Sequence, residues 1–328
     1  MASAATTPPD LHVSTKPEKL TFLARLRKGD EIAYLVTFAS ALSIILITGL
    51  LVQHLWIDSA LARHAFGWHF LYTSAWDPVQ NRFGALPFIY GTVVTSTLAL
   101  LISVPIGIGA AIFLAELAPR KLSNVLTFMI ELLAAVPSVI FGLLGIFVLL
   151  PILQNYVVPV IQKFFGFLPL FAGAFHGVSY FSASVVLSIM IVPFIVSISR
   201  EVLLAVPQSQ REAMMALGAT KWDVTWRAVV PYAIRGIFGS IFLALARALG
   251  ETMAVTMVIG NVPAISKSLL APGYTIAAVI ANEFTEATGD LYIHALIELA
   301  LVLFAVTIII NALARILMVG MKRQEATL

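Results

Sequence analysis

Six stretches of mostly apolar residues dominate this chain, near positions 33–56, 88–114, 125–153, 178–198, 234–262 and 293–319. Each reaches the roughly 20 residues that a helix needs to cross a hydrocarbon core of about 30 Å. Lipid offers no partner for backbone N–H and C=O groups, so such segments must be helical. The chain is therefore expected to be an all-α, polytopic membrane protein of about six transmembrane helices. Composition agrees: 60% of residues are hydrophobic and 11% charged, against the roughly 25% charge of ordinary soluble domains. A further apolar segment, 156–175, is interrupted by Pro159, Gly166, Pro169 and Gly173. It reads as an interfacial or re-entrant piece, not a seventh crossing.

Residues 1–30 are polar, with Pro, Thr and Lys, and lack the pattern of a cleaved signal peptide. They read as a disordered cytoplasmic tail. The remainder, 31–328, is the membrane domain, with a core at about 87–319 and a cytoplasmic loop at 199–232. The orientation comes from the excess of basic residues on the cytoplasmic side of membrane proteins. With the amino terminus inside, fifteen of the twenty Lys and Arg residues fall inside: Lys16, Lys19, Arg25, Arg27, Lys28, Arg120, Lys121, Arg200, Arg211, Lys221, Arg227, Arg235, Arg315, Lys322 and Arg323. Only Arg63, Arg82, Lys163 and Lys267 fall outside, and Arg247 is left within a span. A seventh crossing would erase this asymmetry. Both termini are expected to be cytoplasmic.

Other chemistries find little support. The chain has no cysteine, so thiol chemistry and disulfides are excluded, and its six histidines show no metal-ligand spacing. A net charge of +3, dispersed along the sequence, does not suggest nucleic acid. No G-x-x-x-x-G-K-[S/T] phosphate loop is present. ATP and magnesium, if used, belong on a partner subunit; this chain carries no cofactor and is not expected to be an enzyme.

The 199–232 loop reads as two short helices around a turn. Pro207 opens the first, which runs to Leu217, and Gly218 supplies a left-handed stop. Thr220 is the expected N-cap of 221–229, and Pro231 is expected to end it. Ala213, Ala216 and Leu217 share one face of the first helix, a shallow surface on which another protein could sit. Permeases of bacterial ABC importers carry a motif here: E-A-A, three residues, Gly, nine residues, Ile, one residue, Leu-Pro. This chain resembles them, with Glu212-Ala213-Met214, Gly218, Ala228, Val230 and Pro231 in register. Met214, Ala228 and Val230 depart from the motif but stay apolar. The resemblance implies a coupling helix that docks in a groove on an ATPase subunit, with Glu212, Ala213, Gly218 and Pro231 as its marked positions.

The fifth stretch contains Arg247-Ala248-Leu249-Gly250-Glu251-Thr252. An ionised side chain deep in a span costs about 2.5–3.5 kcal/mol on insertion scales. On a continuous helix Glu251 lies one turn beyond Arg247, so the two would meet on one face. They flank a stripe of small residues (Gly236, Ser240, Ala244, Ala248, Thr252, Thr256) that would let a neighbouring helix approach closely. The pair reads either as a structural ion pair or as an anion path, a guanidinium suiting an oxyanion. Glu131, placed in the third stretch before Pro137, either faces the same path or snorkels to the interface. Glu298 and Asn311 are expected to be solvated or helix-bonded near span ends. Glu283, Glu286 and Asp290 form an acidic outer tip beside an expected short helix at 275–287.

The run Arg247–Asn261, the segment Glu131-Leu132-Leu133-Ala134-Ala135-Val136-Pro137-Ser138, and Pro272-Gly273-Tyr274 through Ile280-Ala281-Asn282-Glu283-Phe284 are similar to permease subunits of ABC phosphate importers. The likeness covers about 80–320. It implies a heteromeric complex in the bacterial plasma membrane: a sister permease, two ATPase subunits inside and a phosphate-binding protein outside. It also implies that Arg247, Glu251 and Glu131 belong to the transport path. The alternatives are a permease for another oxyanion, sulfate or molybdate, or a stand-alone secondary anion transporter or channel, which would leave the loop motif unexplained.

Overall fold

A computed structural model describes residues 30–325, with side chains described for 31–316. The tail 1–29 and the side chains of Lys322 and Arg323 lie outside the described residues. Among these residues six helices are long and apolar enough to cross a membrane: Glu31–Asp58, Leu86–Leu117, Ser138–Phe165, Tyr180–Leu204, Lys221–Leu249 and Asp290–Ile316. We call them spans one to six. Span one lies largely in a separate unit, residues 1–54, and is described by itself. Its apolar side chains are exposed along the helix.

The number of spans agrees with the sequence reading, but spans three and five differ from it. Residues 120–153 are not one helix. Arg120–Ala134 is an amphipathic helix, and a break at 135–137 separates it from span three. Pro137 has no N–H to give an upstream carbonyl and disfavours helical geometry before it, so the chain restarts there. Span three then runs on through Phe165, so 156–165 continues that helix and is not the separate interfacial piece expected. Its prolines follow π turns: Gly145–Leu149 precedes Pro151, and Leu153–Val157 precedes Pro159. The wider turn accommodates a residue that cannot donate.

The same device corrects Pro231. That residue does not end a helix; it sits at the second position of Val230–Leu249, directly after the π turn Thr225–Val229. The helix that begins at Lys221 therefore continues into the membrane as span five. Its far end also differs from the expectation. The helix stops at Leu249, and a second, short helix, Met253–Ile259, follows after a break.

Span four is the centre of the bundle, with 67% of its most apolar window buried. It packs against spans two and five. Close approach depends on small residues. A Cβ on Gly236 of span five would lie 2.2 Å from Val202 Cγ1, and Ser240, Ala244 and Ala248 above it are buried. The Oγ atoms of Ser240 and Ser199 are 2.7 Å apart. The expected small-residue stripe thus seats span five on span four, up to the break.

At the opposite end of the bundle from the 199–232 loop, residues 260–275 close over spans two and four. Gly260 turns the chain with φ +99°, and Gly273 N–H donates to Ile259 C=O at 3.0 Å. Tyr180 and Phe181 N–H groups, at the start of span four, donate to Ala271 and Leu269 carbonyls at 3.1 and 2.8 Å. The hydroxyls of Tyr90 and Tyr180 donate to Ser266 and Ala264 carbonyls at 2.7 and 2.9 Å. Helix Ile276–Glu283 follows, with Thr275 as N-cap. Glu283 is not a free acidic tip: it accepts from Trp76 Nε1 at 2.8 Å and Tyr292 Oη at 2.6 Å. Glu298 is not solvated either; it is 6% exposed, and its Oε2 has no hydrogen-bond partner. Asn311 is helix-bonded as expected, donating to Thr307 C=O at 2.9 Å.

Candidate functional site: a clamped loop helix and a broken span

The first candidate site is helix Gln208–Ala216. Pro207 precedes it in extended geometry. Gly218 ends it at φ +82°, with its N–H donating to Met215 C=O at 2.9 Å. An L side chain there would be strained by the left-handed backbone alone, since an added Cβ would meet no atom within 4 Å. Thr220 completes a capping box with Asp223 and opens the next helix. Both features match the sequence reading. Glu212, Ala213, Gly218 and Pro231 are all exposed. The helix therefore presents a small-residue face to its surroundings.

What the sequence reading missed is how this helix is held. Arg211 sits beside Glu212 in the motif and points the other way. Its Nη2 and Nε donate to Glu116 Oε1 and Oε2 at 2.7 and 3.3 Å. Glu116 belongs to the π turn Phe113–Leu117 that ends span two. The same guanidinium donates to Leu203 C=O at 2.8 Å and Val206 C=O at 2.5 Å, at the end of span four. Both side chains are largely buried, at 12% and 10% exposure. One residue of the loop thus grips the ends of two spans. Its only sequence signal is a charge, 95 positions from its partner, which no local periodicity reveals.

The second candidate site is the break in span five. Arg247 and Glu251 do not form the ion pair expected of a continuous helix; none joins them. Arg247 stands in the last turn of Val230–Leu249, where a cation complements the unpaired carbonyl end of the helix dipole. It is exposed, and its guanidinium carbon lies 6.0 Å from the ring centroid of Phe194 on span four. Glu251 lies in the break, where its Oε1 accepts from Ala254 N–H at 3.3 Å, in the first turn of Met253–Ile259. Each charge is therefore settled by a helix terminus, and the guanidinium keeps its donors free of any carboxylate in the described chain. Glu131 is brought to neither charge. It lies exposed on the amphipathic helix Arg120–Ala134, outside span three.

Bundle, clamped loop helix and broken span together define the membrane half of an importer. The chain belongs to the family of binding-protein-dependent transport system inner membrane components, whose model matches residues 103–323. Within that class it is similar to phosphate transport system permease proteins PstC. That of Mesorhizobium japonicum is 48% identical over 295 residues, covering 89% of this chain and 90% of the relative. The probable PstC of Methanocaldococcus jannaschii is 34% identical over 292 residues, covering 87% and 92%. Among solved structures, a bacterial alginate ABC transporter in complex with an alginate pentasaccharide-bound periplasmic protein is similar in fold. There the identity is 16% and the TM-score 0.57, covering 88% of this chain and 96% of that one.

Proposed function

We propose that this chain is the permease subunit of an ATP-driven phosphate importer, forming half of the translocation pathway in a bacterial plasma membrane. The observation that carries the reading is Arg247: an exposed, permanently charged fork at the end of a broken apolar helix, with no carboxylate partner among the described residues. A guanidinium so placed can meet an oxyanion with paired charge-assisted hydrogen bonds. Glu251, in the break itself, adds a negative charge that keeps the anion from being held too long. It can also accept a hydrogen bond from a protonated phosphate. Glu131, on the exposed amphipathic helix outside span three, stands apart from both charges and takes no part in this reading. The names of the relatives support phosphate over sulfate or molybdate, and the motif argues against a stand-alone channel.

In this reading helix 208–216 docks on one of two ATPase subunits, which bind ATP and magnesium, and a phosphate-binding protein delivers the anion from outside. Both chain termini are cytoplasmic. Arg211 is the mechanical link, because any displacement of the docked helix is passed to spans two and four through Glu116 and the Leu203 and Val206 carbonyls. Phosphate uptake with Arg247→Gln, read beside membrane levels of the complex, tests the proposal. Uptake should be lost at normal levels of assembled protein. Normal uptake, or a loss that only follows loss of protein, would refute it.

A further inference from the structure

A cavity of about 570 Å³ lies behind the coupling helix, bordered by the ends of spans two and four and the start of span five. It is strongly cationic. Arg120, Arg200, Arg211 and Lys221 line it, and Glu116 is the one carboxylate on its wall. Glu116 neutralises Arg211. Arg200 is 14% exposed; its Nη1 meets Glu201, a residue 71% exposed, and its buried Nε has no acceptor. Arg120 and Lys221 have no ion-pair partner among the described residues. Two cations are thus free, and a third has an unmet, buried donor.

Backbone adds to the same field. Arg120 and Lys221 are the first residues of their helices, and Gln208 is the first of the coupling helix. Three helix starts therefore border one cavity. The residues before two of them, Pro119 and Pro207, provide no side-chain cap for the first-turn amides. A cation at a helix start is opposed by the dipole, so this arrangement concentrates positive potential; Asp223 offsets it in part at the Lys221 helix start, and Glu116 is engaged by Arg211. An anion would offset it. The volume exceeds what one tetrahedral oxyanion fills, and Leu114, Leu204 and Val224 give the cavity an apolar wall.

We propose that this cavity binds a phosphate group, supplied as free inorganic phosphate or as the headgroup of an anionic phospholipid. The site is separate from Arg247 and does not rest on the transport reading. The test uses the full chain carrying Arg247→Gln, so that the pathway cation contributes no binding. In one arm, phosphatidylcholine nanodiscs are dialysed at low salt against radiolabelled inorganic phosphate. In the other, nanodiscs mixed with phosphatidylglycerol are examined by native mass spectrometry for retained lipid. One saturable site is expected in at least one arm, and that arm identifies the source. Adding Arg120→Gln and Lys221→Gln together should weaken it about tenfold or more. Arg120→Lys with Lys221→Arg should restore it, which separates charge from misfolding. Binding in neither arm, or binding that the double Gln substitution leaves unchanged, overturns the proposal.

Discussion

Removing one partner of the Arg211–Glu116 clamp should uncouple the importer without dismantling its membrane core. Arg211→Met keeps the apolar stem and deletes four hydrogen bonds: two to Glu116 and one each to Leu203 and Val206. It also leaves Glu116, 10% exposed, without its counter-charge. Breaking a buried pair from one side costs about 3–5 kcal/mol. Since about 1.4 kcal/mol is tenfold in an equilibrium, the docked arrangement of helix 208–216 should lose at least a hundredfold, roughly, of its advantage over a detached one. Glu116→Leu should cost a similar amount from the other side. The double replacement should cost less than the sum by about 0.5–3 kcal/mol, the coupling expected of residues in direct contact. The assay is phosphate uptake per ATP hydrolysed by the complex in proteoliposomes, alongside denaturant unfolding of the same three variants. Each single variant should hydrolyse ATP with little uptake. If uptake per ATP is unchanged in Arg211→Met, or the two effects simply add, the clamp transmits nothing.

Gly218→Leu should weaken capture of the ATPase subunit and uncouple uptake, because a left-handed backbone costs an L residue about 1–2 kcal/mol; Gly218→Asn should be milder in a pull-down. Gly91→Ala should destabilise the opposite end, since its Cβ would lie 2.0 Å from Tyr274 O; a lower melting temperature of the purified chain checks this. Topology reporters at Lys267 and Lys322 should lie on opposite sides of the membrane, and reporting from the same side would refute the six-span orientation.

The sequence made the number of spans legible because hydropathy over 20 residues is a strong, local signal. The turn of the 199–232 loop was equally legible, since Gly218 and the Thr220 cap act through the backbone of their own segment. Helix ends were not. Pro137 and Pro231 are the same residue type in similar apolar surroundings, yet one breaks the chain and the other follows a π turn that lets the helix continue. Gly250 ends span five within a run whose hydropathy hardly changes, so the sequence puts Arg247 and Glu251 on one helical face, whereas the fold divides them between two termini. Glu131, expected within the third stretch, lies on a separate helix before span three. Arg211 went unnoticed for the complementary reason: its partner is remote in sequence, and only the fold brings the two together.

Polar links between the long helices are unevenly distributed. At one end Tyr90, Tyr180 and Thr92 tie spans two and four to the 260–276 segment. At the other, Arg211 ties the same two spans to the loop. Between them, in span four, Ser184 donates to Tyr180 C=O and Ser188 to Val185 C=O within their own helix, and Ser197 Oγ has no partner among the described residues. Ser199 with Ser240 is the exception among the described residues. Apart from that one bond the middle of the bundle is held by shape, and shape resists separation far more than it resists sliding. Helices joined in this way behave like rods hinged at both ends with a smooth contact between, so a push at one hinge arrives at the other as a tilt, with the Ser199–Ser240 bond the one directional side-chain link along the way among the described residues.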